Sequence, residues 1–156
     1  MVKERWENLE VWKLADELAY QVYSVTQDFP KEETYGLTAQ VRRAALSIPT
    51  NIVEGYSRKG DKELAHFVNI SLGSLAETKY LLHFARRLGY FSAERYRDME
   101  REYKTLGQRL WKFYESVRSQ QSSAQVRRRL LAGHSTVLAC QLPSILAYLH
   151  PGILAS

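Results

Sequence analysis

The sequence predicts an all-α protein, an antiparallel four-helix bundle with up-down-up-down connections. Four long segments repeat apolar residues every three or four positions, and no segment alternates with the two-residue period of a strand. Short turn sequences separate the segments, which favours neighbouring helices that run in opposite directions. At 156 residues, of which 45% are hydrophobic, the chain has enough apolar material for one core.

The first predicted helix covers about residues 7–27. Trp12 and Tyr23 widen its apolar stripe, so this helix is expected to touch more than one neighbour. The helix ends before Pro30, since a residue that precedes proline avoids the helical region. Its core positions are Val11, Leu14, Leu18, Val22 and Val25.

The second predicted helix, about residues 33–58, is unusual because an apolar stripe, a polar stripe and a proline occur together. Pro49 removes one helical hydrogen bond and kinks the backbone, so neighbours on both sides are expected to compensate. The apolar stripe is Leu37, Val41, Ala44, Ile48 and Ile52, and the polar stripe is Gln40, Arg43, Ser47, Asn51, Glu54 and Arg58.

The third predicted helix, about residues 62–88, is apolar on most of its sides and is therefore expected to be buried on most of its sides. It carries a band of small residues that would let another backbone come close. The core of one small chain hardly accounts for so much coverage, so we expect self-association. The expected interface residues are Trp12, Phe67, Ser71, Gly73 and Ser74.

The fourth predicted helix begins after Ser92, a suitable N-cap, and its apolar residues alternate by three and four without a break. This seam consists of Tyr96, Met99, Tyr103, Leu106, Leu110, Phe113 and Val117. Its arginines are interleaved with acids and are expected to solvate the outer face. Trp111, like the other large aromatic residues, is expected to pack in a core or interface rather than to stack on bases.

Residues 1–119 are therefore the predicted bundle, and residues 120–156 a separate extension. Residues 120–125 form a polar linker, after which three arginines precede a stretch broken by Gly133, Pro143 and Pro151. A short appended helix that docks on a partner and a poorly ordered extension are both compatible with this pattern. The lack of periodicity favours the extension.

Composition predicts a cytoplasmic protein without a membrane span. The lone Cys140 cannot form an internal disulfide, the N-terminus has no apolar signal core, and no apolar run approaches about 20 residues. The net charge is +5, but residues 1–120 hold 19 Lys and Arg against 17 Asp and Glu, a charge of only +2. Arg127, Arg128 and Arg129 supply the rest.

Five sequence blocks occur in order: LEVWKLA at 9–15, FPKEETYGL at 29–37, QVRRAALSIPTNIVEG at 40–55, ISLGSLAE at 70–77 and LGY at 88–90. In these blocks the chain resembles the four-helix-bundle proteins encoded within intervening sequences of bacterial 23S ribosomal RNA genes, often labelled ribosomal protein S23. The resemblance covers about residues 7–118. The family commonly has Ala in place of Val53 and an acidic residue in place of Ala76.

The resemblance implies a bundle that assembles into a homopentameric ring. A related branch of the family comprises accessory proteins of diversity-generating retroelements, which bind nucleic acid and a reverse transcriptase through a basic barrel. The partners implied for this chain are therefore further copies of itself, RNA or DNA, and a reverse transcriptase or another protein.

The residues give no support for catalysis. Glu63 and His66 form an E-x-x-H of the kind that ligates di-iron centres, but such a site needs a second E-x-x-H and two more carboxylates. His83 lacks the partner glutamate. No nucleophile elbow or phosphate-binding loop occurs. The sequence therefore predicts a protein that is not an enzyme and has no metal or cofactor.

Two functions remain open. The first is an oligomeric accessory protein that binds structured RNA or DNA through basic residues, and the second is a scaffold that recruits a partner protein without binding nucleic acid. The candidate nucleic-acid ligands are Arg42, Arg58, Lys59 and Lys62. The other polar residues of the second helix are expected to form a structural network, namely Arg43, Asn51 and Glu54.

Overall fold

The protein is all-α, with four long helices and no strand within residues 4–146. A computed structural model describes these residues, and it describes side chains at positions 4–123, 125 and 126. The long helices are α1 (Glu10–Val25), α2 (Leu37–Ser57), α3 (Asp61–Arg87) and α4 (Ala93–Leu146). Short 3₁₀ helices occupy Arg5–Asn8, Thr26–Asp28 and Lys31–Glu33. None of the helices in this part of the chain is long and apolar enough to span a membrane.

The prediction of four helices is confirmed, but α4 is longer than the sequence indicates. The polar composition of residues 120–125 predicts a linker, yet the helix continues through this stretch to Leu146. Serine, glutamine and alanine do not break a helix, and no proline occurs before Pro143. Contacts divide the chain into two units, Met1–Arg118 and Ser119–Ser156. Residues 147–156, the end of the predicted irregular extension, lie outside the described residues.

One hydrophobic core joins residues of all four helices. The α4 seam is buried as predicted, except for Phe113, which is half-buried. Each fully buried aliphatic side chain contributes roughly 1.5–3 kcal/mol relative to an exposed one, so the core dominates the stability of this unit. The large side chains with the lowest exposure are Leu18, Ile48, Ile52, Met99, Tyr103, Leu106 and Leu110.

Helices α2 and α3 approach each other closely. A Cβ atom added at Gly55 would lie 3.0 Å from Cβ of Phe67 and 3.1 Å from Cδ1 of Leu64, so only glycine fits there without a shift. About two turns earlier in α2, the carbonyl of Ile48 accepts a hydrogen bond from the Ser71 hydroxyl at 3.0 Å. That carbonyl precedes Pro49, which is buried and lies inside the uninterrupted α2. The serine therefore ties α3 to α2 at the turn where proline removes a backbone donor.

The connection from α3 to α4 uses two capping devices. Gly89 has a φ of 78°, and the N–H groups of Gly89 and Tyr90 donate to the carbonyls of Arg86 and Ala85. This pattern closes the C-terminus of α3, and glycine suits it because it adopts positive φ without a steric cost. Ser92 then caps α4 as predicted, since its hydroxyl accepts from the N–H of Arg95 at 3.2 Å.

Glu33 links the start of α2 to this same connection. Its carboxylate accepts the N–H of Leu37 at 2.8 Å and the hydroxyl of Tyr90 at 3.0 Å. The ring of Tyr90 packs at 5.3 Å from that of Phe29. A negative charge at a helix N-terminus is favourable because it complements the helix dipole. One side chain therefore caps α2 and fastens the loop between α3 and α4.

Replacement of Glu33 should destabilise the fold. We expect Glu33→Ala to lower the free energy of unfolding by about 1–2 kcal/mol, because the N–H of Leu37 loses its acceptor and Tyr90 loses its partner. Glu32→Ala is the matched control, since Glu32 is an exposed acid of the same turn, and it should change stability by less than about 0.5 kcal/mol. Urea unfolding measures both; equal effects of the two variants would contradict the assignment.

Tyr103 should make the stability of the protein sensitive to alkaline pH. The side chain is 1% exposed, its hydroxyl donates to the carbonyl of Leu18 at 3.3 Å, and burial raises its pKa well above the usual range. An unfolded tyrosine titrates near pH 10, so this contribution is complete below about pH 10 and is lost as the pH rises further. The loss is up to about 1.4 kcal/mol per pH unit.

Urea unfolding between pH 9 and pH 11 should therefore show a smaller decline for Tyr103→Phe than for the unaltered protein. Tyr35→Phe is the control, because Tyr35 is 95% exposed and its replacement should leave the decline unchanged. If the stability of Tyr103→Phe declines as steeply as that of the unaltered protein, the pKa of Tyr103 is the same in the folded and the unfolded state. That result would contradict the prediction.

Candidate nucleic-acid interface

The turn between α2 and α3, which the sequence predicts as a basic ligand site, is electrically balanced. Arg58 forms an ion pair with Glu54 at 2.6 Å, and this hydrogen bond raises the pKa of the arginine. Its guanidinium also lies 5.7 Å from the ring centre of Phe67. Lys59 and Lys62 are exposed as expected. Residues 54–63 nevertheless hold three Lys and Arg against three Asp and Glu, so the turn presents no net positive charge.

Arg42 is engaged within the chain rather than presented to a ligand. Its Nε donates to Oγ1 of Thr26 at 2.7 Å, and its guanidinium lies 4.9 Å from the ring centre of Tyr23. A terminal nitrogen also lies 3.5 Å from the Tyr23 carbonyl oxygen. Arginine at the C-terminus of a helix satisfies free carbonyls and complements the dipole. Arg42 therefore fastens the end of α1 to α2, a role that the sequence analysis missed.

The predicted network of Arg43, Asn51 and Glu54 is not joined within one chain. Asn51 donates to the carbonyl and the hydroxyl of Ser47 at 2.7 and 2.9 Å. Glu54 pairs with Arg58 instead. Arg43 is exposed, and within the described residues it forms no hydrogen bond or ion pair. Asn51 is therefore architectural, whereas a role for Arg43 between subunits stays a prediction.

The small residues of α3 divide between the interior and the surface. Ser71 is fully buried, and Ser74 is 9% exposed with its hydroxyl 2.9 Å from that of Ser47. These two residues serve the contact with α2, so their assignment to an oligomer interface is wrong. Gly73 is exposed with no atom within 4 Å of an added Cβ. Phe67 and Trp12 are half-buried, and their place in an interface stays a prediction.

Positive charge is concentrated in the second half of the chain. Residues 1–78 carry nine Lys and Arg against twelve Asp and Glu, a formal charge of −3. Residues 79–118 carry ten against five, a formal charge of +5. The net charge of residues 1–118 is therefore mildly positive, although its first part is acidic and its second part is basic. The excess of cations over acids lies at the end of α3 and along α4, which makes this part of the body the more attractive one for phosphate.

A line of exposed residues runs along the outer side of α4. Successive members are four and three positions apart, so they share one face of the helix over roughly 30 Å. They are Arg97, Arg101, Lys104, Gln108, Trp111, Glu115 and Arg118, and we call them the α4 stripe. Arg101 pairs with Asp98 at 2.5 Å. Within the part of the chain that the structure describes, Arg97, Lys104 and the adjacent Lys112 form no ion pair.

Two residues of this stripe, Trp111 and Arg118, form an aromatic and cationic cluster with the neighbouring Tyr114. The rings of Trp111 and Tyr114 are 5.6 Å apart, and the guanidinium of Arg118 lies 5.6 Å from the ring centre of Tyr114. Trp111 is 50% exposed, so it does not pack in the core of this chain, and its expected place in an interface stays a prediction. Its position directly after the seam residue Leu110 is the signal that could have placed it outside the core.

The E-x-x-H motif has no metal site around it in this structure. His66 is exposed and lies edge-on to Phe67, with the ring centres 5.4 Å apart. Over the described residues, no group of three or more His, Cys, Asp and Glu side chains is arranged to hold a metal ion. The side chain of Cys140 lies outside the described residues.

Comparison with known proteins identifies the family. A sequence model described as 23S rRNA-intervening sequence protein matches residues 7–112. A crystal structure of a protein with unknown function from the S23 ribosomal protein family of Bacteroides thetaiotaomicron VPI-5482 superposes with a TM-score of 0.60 at 21% identity. The superposition covers 67% of this chain and 97% of that one, and at this identity it shows a shared fold. No curated protein matches the sequence. The match over most of the helical body shows that the chain belongs to the 23S rRNA-intervening sequence protein family.

Proposed function

We propose that the protein is a non-enzymatic, oligomeric accessory protein that binds structured RNA or DNA through the α4 stripe. The observation that carries this proposal is the line of four exposed cations in the most basic part of the body. Cations held on a rigid helix attract phosphates, and each neutralised phosphate releases counterions, which favours binding. Glu115 is the one acid of the stripe itself, and Arg101 pairs with Asp98, whereas Arg97 and Lys104 form no ion pair within the described residues.

An antiparallel four-helix bundle would support this role. In such a bundle each helix packs its inner side against the core, so α4 keeps an exposed outer side. The contacts between α2 and α3 run in opposite order along the chain, with Ser47 beside Ser74, Ile48 beside Ser71 and Gly55 beside Phe67. Hydrogen bonds from Gln21 to Glu102 and from Tyr103 to Leu18 join α1 to α4. We infer an up-down-up-down bundle from these contacts and the short connections.

Self-association through α3 would multiply the basic surface. Outward positions of α3 form an apolar line at helical spacing, consisting of Ile70, Gly73, Tyr80 and Phe84, with Glu77 as its charged member. The open space above Gly73 permits a second helix to approach closely. We propose that a second copy of the chain covers this line, in the homopentameric ring that the family resemblance implies. Five copies of a modest basic surface then act together.

The alternative function is a scaffold that recruits a partner protein without binding nucleic acid. The same apolar line on α3 favours this alternative, because exposed apolar surface also suits a foreign partner. The two functions differ in two measurable properties, the affinity for nucleic acid and the oligomeric state of the purified chain.

Charge removal from the α4 stripe should weaken nucleic-acid binding. For the triple variant Arg97→Gln, Arg101→Gln and Lys104→Gln we expect the Kd for a structured RNA to rise at least about tenfold near 100 mM salt. Three lost phosphate contacts should also lower the slope of log Kd against log salt by about 2–3. Fluorescence anisotropy at several salt concentrations measures both quantities.

The matched control removes the same charge from the α2–α3 turn by Arg58→Gln, Lys59→Gln and Lys62→Gln, and its Kd should change less than about threefold. A larger effect at the turn than at the stripe would move the interface to the turn. No binding of RNA or DNA by the unaltered protein at low salt would contradict nucleic-acid binding altogether.

Obstruction of the α3 line should dissociate the oligomer. We expect the unaltered protein to scatter light as about five times its chain mass of 18.1 kDa, and Gly73→Gln to scatter as smaller species. Glutamine favours a helix more than glycine does, so the fold of the single chain is not weakened. Ser24→Gln, at an exposed position of α1, should leave the mass unchanged. An unaltered protein that is monomeric at micromolar concentration would contradict the proposal and favour a foreign partner.

A further inference from the structure

Trp111, Tyr114 and Arg118 lie side by side on α4, and we call them the Trp111 cluster. The two rings are 5.6 Å apart with an interplanar angle of 45°, and Arg118 lies over Tyr114 at 5.6 Å. Tyr114 is half-buried against the core, whereas Trp111 is 50% exposed. Arg118 therefore contacts the ring of Tyr114, and that ring supports the indole of Trp111. The exposed part of the indole presents aromatic surface to a ligand.

The charges around the indole select the kind of ligand. Lys112 directly follows Trp111, and Lys104 precedes it by seven positions. Arg118 follows it by two turns, and all three cations are exposed. Glu115 is the one acid between residues 103 and 118. A ligand with a flat aromatic face and a nearby negative charge matches this arrangement, because the rings supply stacking and the cations supply attraction for an anion.

We propose that the Trp111 cluster binds an unpaired nucleobase of a single-stranded segment, with Arg118 and Lys112 close to the adjoining phosphates. This inference rests on the proposed function and names its ligand class: a loop, bulge or free strand rather than a continuous duplex. Bases inside a duplex already stack on each other, so their faces are closed to a protein ring. An unpaired base has both faces available, and stacking on an aromatic side chain tolerates any base.

A second copy of the chain is the competing occupant of this surface. Its α4 would bring a second set of cations against Arg101, Lys104 and Arg118, and like charges that meet in an interface oppose association. The apolar line of α3 carries one acid and no Lys or Arg, so it is the better surface for self-contact. The charge of the α4 stripe therefore favours a polyanion over another copy.

Binding of a single-stranded oligonucleotide and of a duplex of equal length tests the proposal. For Trp111→Ala we expect the Kd for the single strand to rise roughly 5- to 100-fold, which is the usual effect of losing one stacked base. Trp111→Phe should retain affinity within about threefold, because phenylalanine still offers a ring. The Kd for the duplex should be equal in all three proteins. A urea midpoint for each variant verifies that it is folded.

Intrinsic fluorescence supplies a second readout. The single strand should quench the tryptophan emission of the unaltered protein but not that of Trp111→Phe, in which Trp6 and Trp12 remain. These two residues lie together near the N-terminus, with ring centres 4.5 Å apart. Quenching that persists in Trp111→Phe would place the base elsewhere and overturn the proposal.

Failure of this inference is distinguishable from failure of the proposed function. Equal single-strand Kd values for Trp111→Ala and the unaltered protein would overturn the stacking site and leave binding through the stripe intact. Absence of binding to either oligonucleotide by the unaltered protein would overturn both. A smaller mass of Trp111→Ala in light scattering would assign Trp111 to a contact between copies and would also overturn the stacking site.

Discussion

The close contact between α2 and α3 is the constraint on which the rest of the structure depends. Gly55 leaves no room for a side chain against Leu64 and Phe67, and Ser71 bonds to the backbone of α2 beside Pro49. A proline inside a helix costs about 3 kcal/mol or more when nothing compensates. Here the turn is buried between neighbours, and the buried Ser71 adds a hydrogen bond between the two helices at Ile48, whereas the carbonyl that loses its helical donor is that of Ala45. The α2–α3 pair therefore holds the two helices close together and supplies many of the buried core residues.

This contact also determines which polar groups remain available to a ligand. Ser47, Ser74 and Asn51 are joined to each other, and Arg42 is bonded at the end of α1. The basic residues of the α2–α3 turn are balanced by equal numbers of acids. Arg97, Lys104 and Lys112 of α4 form no ion pair within the described residues, and α4 uses one face for the core seam and leaves the opposite face exposed. The exposed face that packing leaves on α4 and the cations on that face therefore both favour α4 as the ligand site.

Much of the fold could be predicted from the sequence, because helical periodicity and capping residues are local signals. The α4 seam and the Ser92 cap were predicted by spacing alone. The site was less predictable, since it depends on contacts between distant residues. No local pattern shows that Arg42 reaches Thr26, 16 residues earlier, or that Ser71 turns toward Ile48. The end of α4 was misplaced because a polar composition resembles a linker even where every residue tolerates a helix.

The central claim is that nucleic acid meets the protein along the outer side of α4 and not at the α2–α3 turn. Photo-crosslinking of the full chain to a bromouridine-substituted RNA, followed by mass spectrometry of the crosslinked peptides, tests this claim most directly. The account predicts crosslinks within residues 97–118, with Trp111 or Tyr114 among the modified positions. Crosslinks confined to residues 58–62, or none at low salt, would contradict it.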